Sequence, residues 1–152
     1  MAEPQLANND ITLAQAMFTF LNSWDDKPVN ISLDELLDEE ESMMLQPLAS
    51  SQILRKYVNG SYIGQFPFAV YYRIKNSDTS DRINARKILE TLSEWFREKN
   101  SSGAFIHLPE LGDKNQATEI DSTSAPSLVA SYDNGVEDYQ AIFNLSYYHK
   151  EV

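Results

Sequence analysis

Apolar residues recur along this chain with two periods, and the switch between them predicts the order of elements. Ile11, Ala14, Met17, Phe18, Leu21 and Trp24 return at spacings of three and four, the mark of an amphipathic helix. Asn9 or Asp10 would cap its start, and Pro28 stops it beyond Asp25. A second stripe, Ile83, Ala85, Ile88, Leu89, Leu92, Trp95 and Phe96, follows the capping cluster "SDTSD" at residues 77–81. Its opposite face mixes Arg82, Arg86 and Lys87 with Glu90, Glu94 and Glu98, the composition of a solvated surface.

Elsewhere the period falls to two. "SMMLQPL", residues 42–48, is short enough to favour a strand. "QILRKYV" and "SYIGQFPFAVYYRIK" flank Asn59-Gly60, a hairpin signal of the type I′ kind, which needs positive φ at both central residues. In the second of these strands Phe66, Phe68, Val70, Tyr72 and Ile74 share a core face, with Gln65, Pro67, Ala69, Tyr71, Arg73 and Lys75 opposite. Gly64 and Pro67 predict that its first half is an edge or is bulged. A further strand signal near residue 117 leads to a second hairpin at Asn134-Gly135, after which Tyr139, Ala141, Phe143, Leu145 and Tyr147 line one face. Residues 100–116 read as a long loop. No internal repeat or low-complexity tract is evident. The expected fold is α+β: a mixed, mainly antiparallel sheet of four to five strands with two helices packed on one face. One domain spans 1–152, with residues 1–8 a flexible tail.

Charge changes the picture in one place. The formal net charge is −11, and residues 25–41 hold Asp25, Asp26, Asp34, Glu35, Asp38, Glu39, Glu40 and Glu41 against Lys27 alone. This acidic linker, with a short helical turn expected after Ser32, makes specific nucleic-acid binding a poor expectation. No apolar run approaches the roughly 20 residues of a membrane span. The absence of cysteine removes disulfide and thiolate chemistry, and the polar start "MAEPQLANND" predicts a protein made inside the cell. The sequons at Asn30, Asn59, Asn100 and Asn144 are then chance matches.

Candidate chemistry is sparse. His107 and His149 fit no metal-ligand spacing, and His107 with Glu110 reads more simply as loop surface than as a base or a metal contact. Asp38 to Glu41 lack the alternation of a calcium loop, and the five glycines form no phosphate-binding fingerprint. No catalytic, cofactor or metal residues are expected. The tyrosines are the remaining feature: Tyr71-Tyr72 and Tyr147-Tyr148 are neighbours in strands, so one of each pair must face away from the core. Exposed aromatic rings often mark protein interfaces.

"MMLQPL", "ILRKYVNGSYIGQFPFAVYYRIK", the capped helix "SDTSDRINARKILETLSEWF" and the closing "DYQAIFNLSYY" together resemble the tail terminator, or minor capsid, proteins of long-tailed phages and prophages of Gram-positive bacteria. The resemblance covers roughly residues 42–149 outside the 100–116 loop. It implies a non-enzymatic virion part at the tail neck, made in the host cytoplasm. Such a part forms a ring, generally a hexamer, that caps the tail tube, stops its polymerisation and receives the head-tail connector. Expected partners are other copies of itself, the tail tube protein and the connector protein. Asn59, Gly60, Tyr71, Arg73, Asn134, Gly135 and Tyr148 are the candidates for subunit or tube contacts, chosen for exposure. Asp38, Glu39, Glu40 and Glu41 would line the bore, where negative charge keeps DNA from sticking. The alternatives are another neck or connector component, or a small enzyme or ligand-binding domain using the long loop.

Overall fold

A computed structural model describes residues 12–37, 40–75, 78–101 and 107–151. Helix α1 (Leu13–Asn22) is capped by Thr12, whose hydroxyl accepts a 3.1 Å hydrogen bond from the Gln15 backbone N–H. The cap therefore falls later than Asn9 or Asp10, which lie outside the described residues. Helix α2 (Thr79–Ser101) opens on a reciprocal box in which Asp81 N–H donates to Asp78 and Asp78 N–H donates to Asp81, 2.9 and 3.1 Å. Its buried stripe is Ala85, Leu89, Leu92 and Phe96. Ile83 is not part of it: two residues before Ala85, it sits about half a turn round the helix and is 59% exposed.

The sheet is mixed, mostly antiparallel and carries both helices on one face, as expected for α+β, but among the described residues it has seven strands and not four or five. They are β1 (Ile31–Leu33), β2 (Ser42–Pro47), β3 (Ile53–Lys56), β4 (Tyr62–Ile74), β5 (Asn115–Ser122), β6 (Ser127–Ser131) and β7 (Glu137–His149). The extra strands have two sources. Where a helical turn was expected after Ser32, Ile31 is buried and β1 pairs in parallel with β2, Ile31 opposite Met43. Burial of Ile31 on the sheet outweighs the local capping preference of Ser32. Asp34 then leaves the strand at φ 59 while its N–H donates to the Leu45 carbonyl. The second source is the length of β4 and β7, each of which spans two short partners placed end to end. β2 and β3 run along β4, and β5 and β6 along β7.

Both long strands alternate as read: Phe66, Phe68, Val70, Tyr72 and Ile74 of β4 and Tyr139, Ala141, Phe143, Leu145 and Tyr147 of β7 are buried in the shared core. The first half of β4 is not an edge, since β4 pairs with β7 from Tyr62 to Ile74. The irregularity expected there lies in its ladder with β3, where the step from Ile53 to Arg55 faces the step from Gly64 to Ile63 and the extra residue belongs to β3. Pro67 fits there because its outer side falls at the changeover between partners. Its carbonyl accepts from Leu48 N–H, just past β2, and the next bond belongs to Gln65 N–H and the Gln52 carbonyl, just before β3. Gly64 lies under the Tyr147 ring, whose Cζ would stand 2.3 Å from an added Cβ. The 100–116 loop is also shorter than expected, because α2 runs to Ser101 and β5 starts at Asn115. Leu108 and Leu111 anchor it in the core.

The two hairpin turns are alike and neither is type I′. In the first, Gly60 N–H donates to the Tyr57 carbonyl, Tyr57 N–H to the Ser61 carbonyl, and only Gly60 has positive φ, 91°. In the second, Gly135 N–H donates to Tyr132, Tyr132 N–H to Val136, and Gly135 has φ 83°. This is a type I turn followed by a left-handed glycine. Asn59 and Asn134 keep ordinary φ because each side-chain carbonyl accepts from the N–H two residues on, Ser61 and Val136.

The likeness extends into the sheet. At a constant offset of 75 residues, Tyr57, Asn59, Gly60, Gln65, Phe68, Tyr72 and Lys75 match Tyr132, Asn134, Gly135, Gln140, Phe143, Tyr147 and Lys150 without a gap. The register pairs Phe68 with Phe143, its own equivalent, so an approximate twofold axis passes between these two rings. They stack at 5.6 Å, and Phe96 of α2 meets both edge-on at 6.1 and 4.9 Å. Register shifts fall at matching places, between Ile53 and Arg55 and between Leu128 and Ala130. Each half also ends its helix with the same clamp. The Asn22 amide makes both backbone bonds of Ile31, and the Asn100 amide both of Ile120. A structural repeat is present where none was expected from the sequence.

Candidate functional site

Six of the seven interface candidates divide into two corners related by the axis, and Tyr71 lies within the sheet opposite Gln140. At one corner Asn59 and Gly60 form the first turn, and Tyr148 comes up beside it. Tyr57, Val58, Asn59 and Tyr148 line a shallow open depression, with the Tyr57 and Tyr148 rings 6.5 Å apart. At the other corner Asn134 and Gly135 form the second turn and Arg73 takes the place of Tyr148, since 73 and 148 are equivalent positions. The Arg73 guanidinium lies 5.3 Å over the Tyr132 ring. Each hairpin tyrosine thus rests on the last turn of sheet contributed by the other half.

Arg73 was chosen for exposure, and that expectation fails. Its side chain is 13% exposed and makes two bonds to Asp138, Nε to Oδ1 at 2.7 Å and Nη2 to Oδ2 at 2.8 Å, with Asp138 only 7% exposed. A third bond reaches the Leu37 carbonyl. The pair meets because Arg73 and Asp138 are register partners across β4 and β7. The Asp138 bonds raise the already basic guanidinium further, so this group is a fixed internal cation. Tyr71 is half-buried, and its hydroxyl accepts a 2.6 Å bond from Gln140. Of the candidate tyrosines only Tyr148 is exposed.

The acidic segment is partly in view. Asp38 and Glu39 lie outside the described residues. Glu40 and Glu41 are exposed, and the Glu41 carboxylate accepts a short bond from the Tyr72 hydroxyl. Burial first, and that bond second, raise the Tyr72 phenol well above its ordinary range. On β5, a hydrogen bond with Asp121, ahead of burial, lifts the Glu119 carboxyl above its usual value. His107 and Glu110 are both exposed. His149 is held by Asn115 at 2.7 Å and Glu151 at 3.1 Å and stacks on Tyr62 at 4.5 Å, a clamp on the chain's end. Among the described residues no group of three His, Cys, Asp or Glu side chains is placed to hold a metal, and no helix is long and apolar enough to cross a membrane.

Two exposed apolar pairs lie outside the candidates expected from the sequence, Ile53-Leu54 on β3 and Leu128-Val129 on β6. They too are 75 positions apart. The signal was present, because consecutive apolar residues at a strand edge break period two and one of each pair must face out. A scan against protein-family models gives no match to this chain, and a search of curated proteins finds no significant relative.

Proposed function

We propose that this chain is a structural subunit of the neck of a long-tailed phage, which caps the tail tube, halts its growth and presents the surface for head-tail joining. The observation that carries the reading is a rigid sheet with an aromatic and apolar hairpin at each of two opposite corners. A subunit of a ring needs two different contact patches, one for each neighbour, and two separated corners supply them. The sheet with helices on one side also agrees with what the resemblance implies. In this reading no reaction is catalysed, and the exposed Glu40 and Glu41 face the bore and keep DNA from adhering.

Electron microscopy of particles made without this gene is the test: overlong tails without heads are expected, and ordinary infectious virions would end the proposal. Decoration of broken tails by purified protein separates a terminator from another neck component, since the former should mark only the end that meets the head. Reversing Glu40 and Glu41 to lysine should slow DNA exit without changing tail length.

A further inference from the structure

The strand and hairpin segments of the two halves share a shape but differ in charge. Residues 42–75 contain Arg55, Lys56, Arg73 and Lys75 and no acid, whereas the equivalent residues 117–150 contain Glu119, Asp121, Asp133, Glu137 and Asp138 against Lys150 alone. Inside the fold Arg73 binds Asp138, and Glu137 binds Arg82 of α2. On the hairpins themselves Arg55 and Lys56 then remain exposed on the first, and Asp133 on the second. Each hairpin also presents its apolar pair, with Leu54 55% and Val129 46% exposed at the two matching register shifts.

From these observations we infer that copies of this chain associate head to tail, the β3–β4 hairpin of one copy docking on the β6–β7 hairpin of the next. Contact between like hairpins would set Arg55 and Lys56 against themselves, or Asp133 against itself, and like charges across an interface are costly. Contact between unlike hairpins joins Ile53-Leu54 to Leu128-Val129 and the two cations to the carboxylate. The contact is made by side chains and not by strand addition, because the register shifts disrupt both outer ladders. On the outer edges of β1 and β5 the Asn22 and Asn100 amides take the backbone groups of Ile31 and Ile120. Two apolar pairs bury less than a standard interface, so a single contact is weak, is populated only at high chain concentration and low salt, and is strengthened by ring closure. The inference stands on the hairpins alone and supplies the ring of the proposed function with its contact. Because it is tested without tails, its failure leaves tail capping open, and failure of tail capping leaves it untouched.

The experiment uses two single-sided variants of the full chain, Leu54→Asp/Arg55→Glu and Val129→Asp/Asp133→Lys, with folding checked by circular dichroism. By sedimentation velocity at low salt and millimolar chain concentration, wild type should form species larger than a dimer. Each variant alone should be a monomer, and their equimolar mixture should stop at a one-to-one dimer, since only one competent pair of hairpins remains. A monomeric wild type, a variant that self-associates, or a mixture that stays monomeric would overturn the inference. If the aspartate variants do not fold, the milder Arg55→Glu/Lys56→Glu and Asp133→Lys changes touch only exposed side chains. Each alone should lower association at least severalfold, the two proteins mixed should recover it, and an unchanged profile would count equally against the contact.

Discussion

The first half of this protein and the second are built on one plan and diverge where the plan allows it. Shared are the Tyr-X-Asn-Gly turn, the register shift in the strand before it, the 13-residue strand after it and the phenylalanine at the axis. Different are the inserted β1, which only the first half possesses, and the residues beside the axis. Gly64 and Pro67 stand in β4 where Tyr139 and Ile142 stand in β7. Tyr147 lies over Gly64, and its equivalent Tyr72 faces Tyr139 side by side. The comparison separates what the fold requires from what it tolerates. Turn, register shift and axis are held in both halves, while charge, strand count and ring arrangement are free to serve different contacts.

The axis is where that separation breaks most forcefully. Phe68→Ala and Phe143→Ala each remove a fully buried ring from a three-ring contact with Phe96, and each should cost about 3–5 kcal/mol in urea unfolding. Because the two rings touch, the double variant should lose less than the sum, though enough to unfold most domains of this size. A near-neutral result at either position would show that the two halves do not share their core energy at the axis.

The helix-end clamps sharpen the comparison at intermediate size. Asn22→Ala and Asn100→Ala each strip a strand residue of its N–H and C=O partners, a loss of about 1–3 kcal/mol. Equal losses are not the whole expectation. Asn22 secures the three-residue β1, so amide exchange at Ile31 should accelerate far more than exchange at Ile120, which sits in the longer β5. Equal acceleration would mean that β1 is held by its pairing with β2 alone.

The turns come next. Gly60→Ala and Gly135→Ala both force a side chain to positive φ and should each cost about 1–2 kcal/mol by thermal unfolding. Gly60 should be the worse, because its Cβ would also meet Glu151 Cγ at 3.0 Å. A reversed order would indicate that the C-terminal residues yield freely.

Much of this was legible along the chain, and the misses have physical causes. The faces of α2, β4 and β7 follow directly from period, apart from Ile83, which pattern alone could not assign to the outer side. The hairpins follow from Asn-Gly, but the turn type does not, since it depends on whether the asparagine side chain bonds its own backbone. β1 is three residues long and competes with a helix cap, so only tertiary pairing decides it. The repeat could have been seen at the 75-residue offset, yet it was hidden because β5 and β6 differ from β2 and β3 in charge and composition. Arg73 was read correctly as pointing to the open face. Its partner Asp138, 65 residues away, becomes a neighbour only once the strand register is known, and exposure was inferred where an ion pair stands.

The equivalent tyrosines Tyr72 and Tyr147 differ in what surrounds their hydroxyls, and alkaline pH is where the difference shows. Burial, with Tyr62 next in effect, pushes the Tyr147 phenol up to about 12, against an ordinary value near 10. Tyr72 is raised as well, by burial and by the Glu41 carboxylate that accepts a hydrogen bond from its hydroxyl. A folded state that holds these protons more tightly than the unfolded chain has its full stability below about pH 10 and loses it as pH climbs toward and past 12. Ultraviolet titration of wild type should therefore show a late tyrosinate fraction that coincides with unfolding. Tyr147→Phe should reduce the slope of the stability loss above pH 10, leaving the share that belongs to Tyr72 and Tyr139, whose phenols are also raised. Tyr72→Phe should remove its own share and also release Glu41, which Tyr147→Phe cannot do. If both variants gave the wild-type alkaline profile, the two rings would not be the groups whose protons the fold retains, and the equivalence of the two positions would hold for backbone alone.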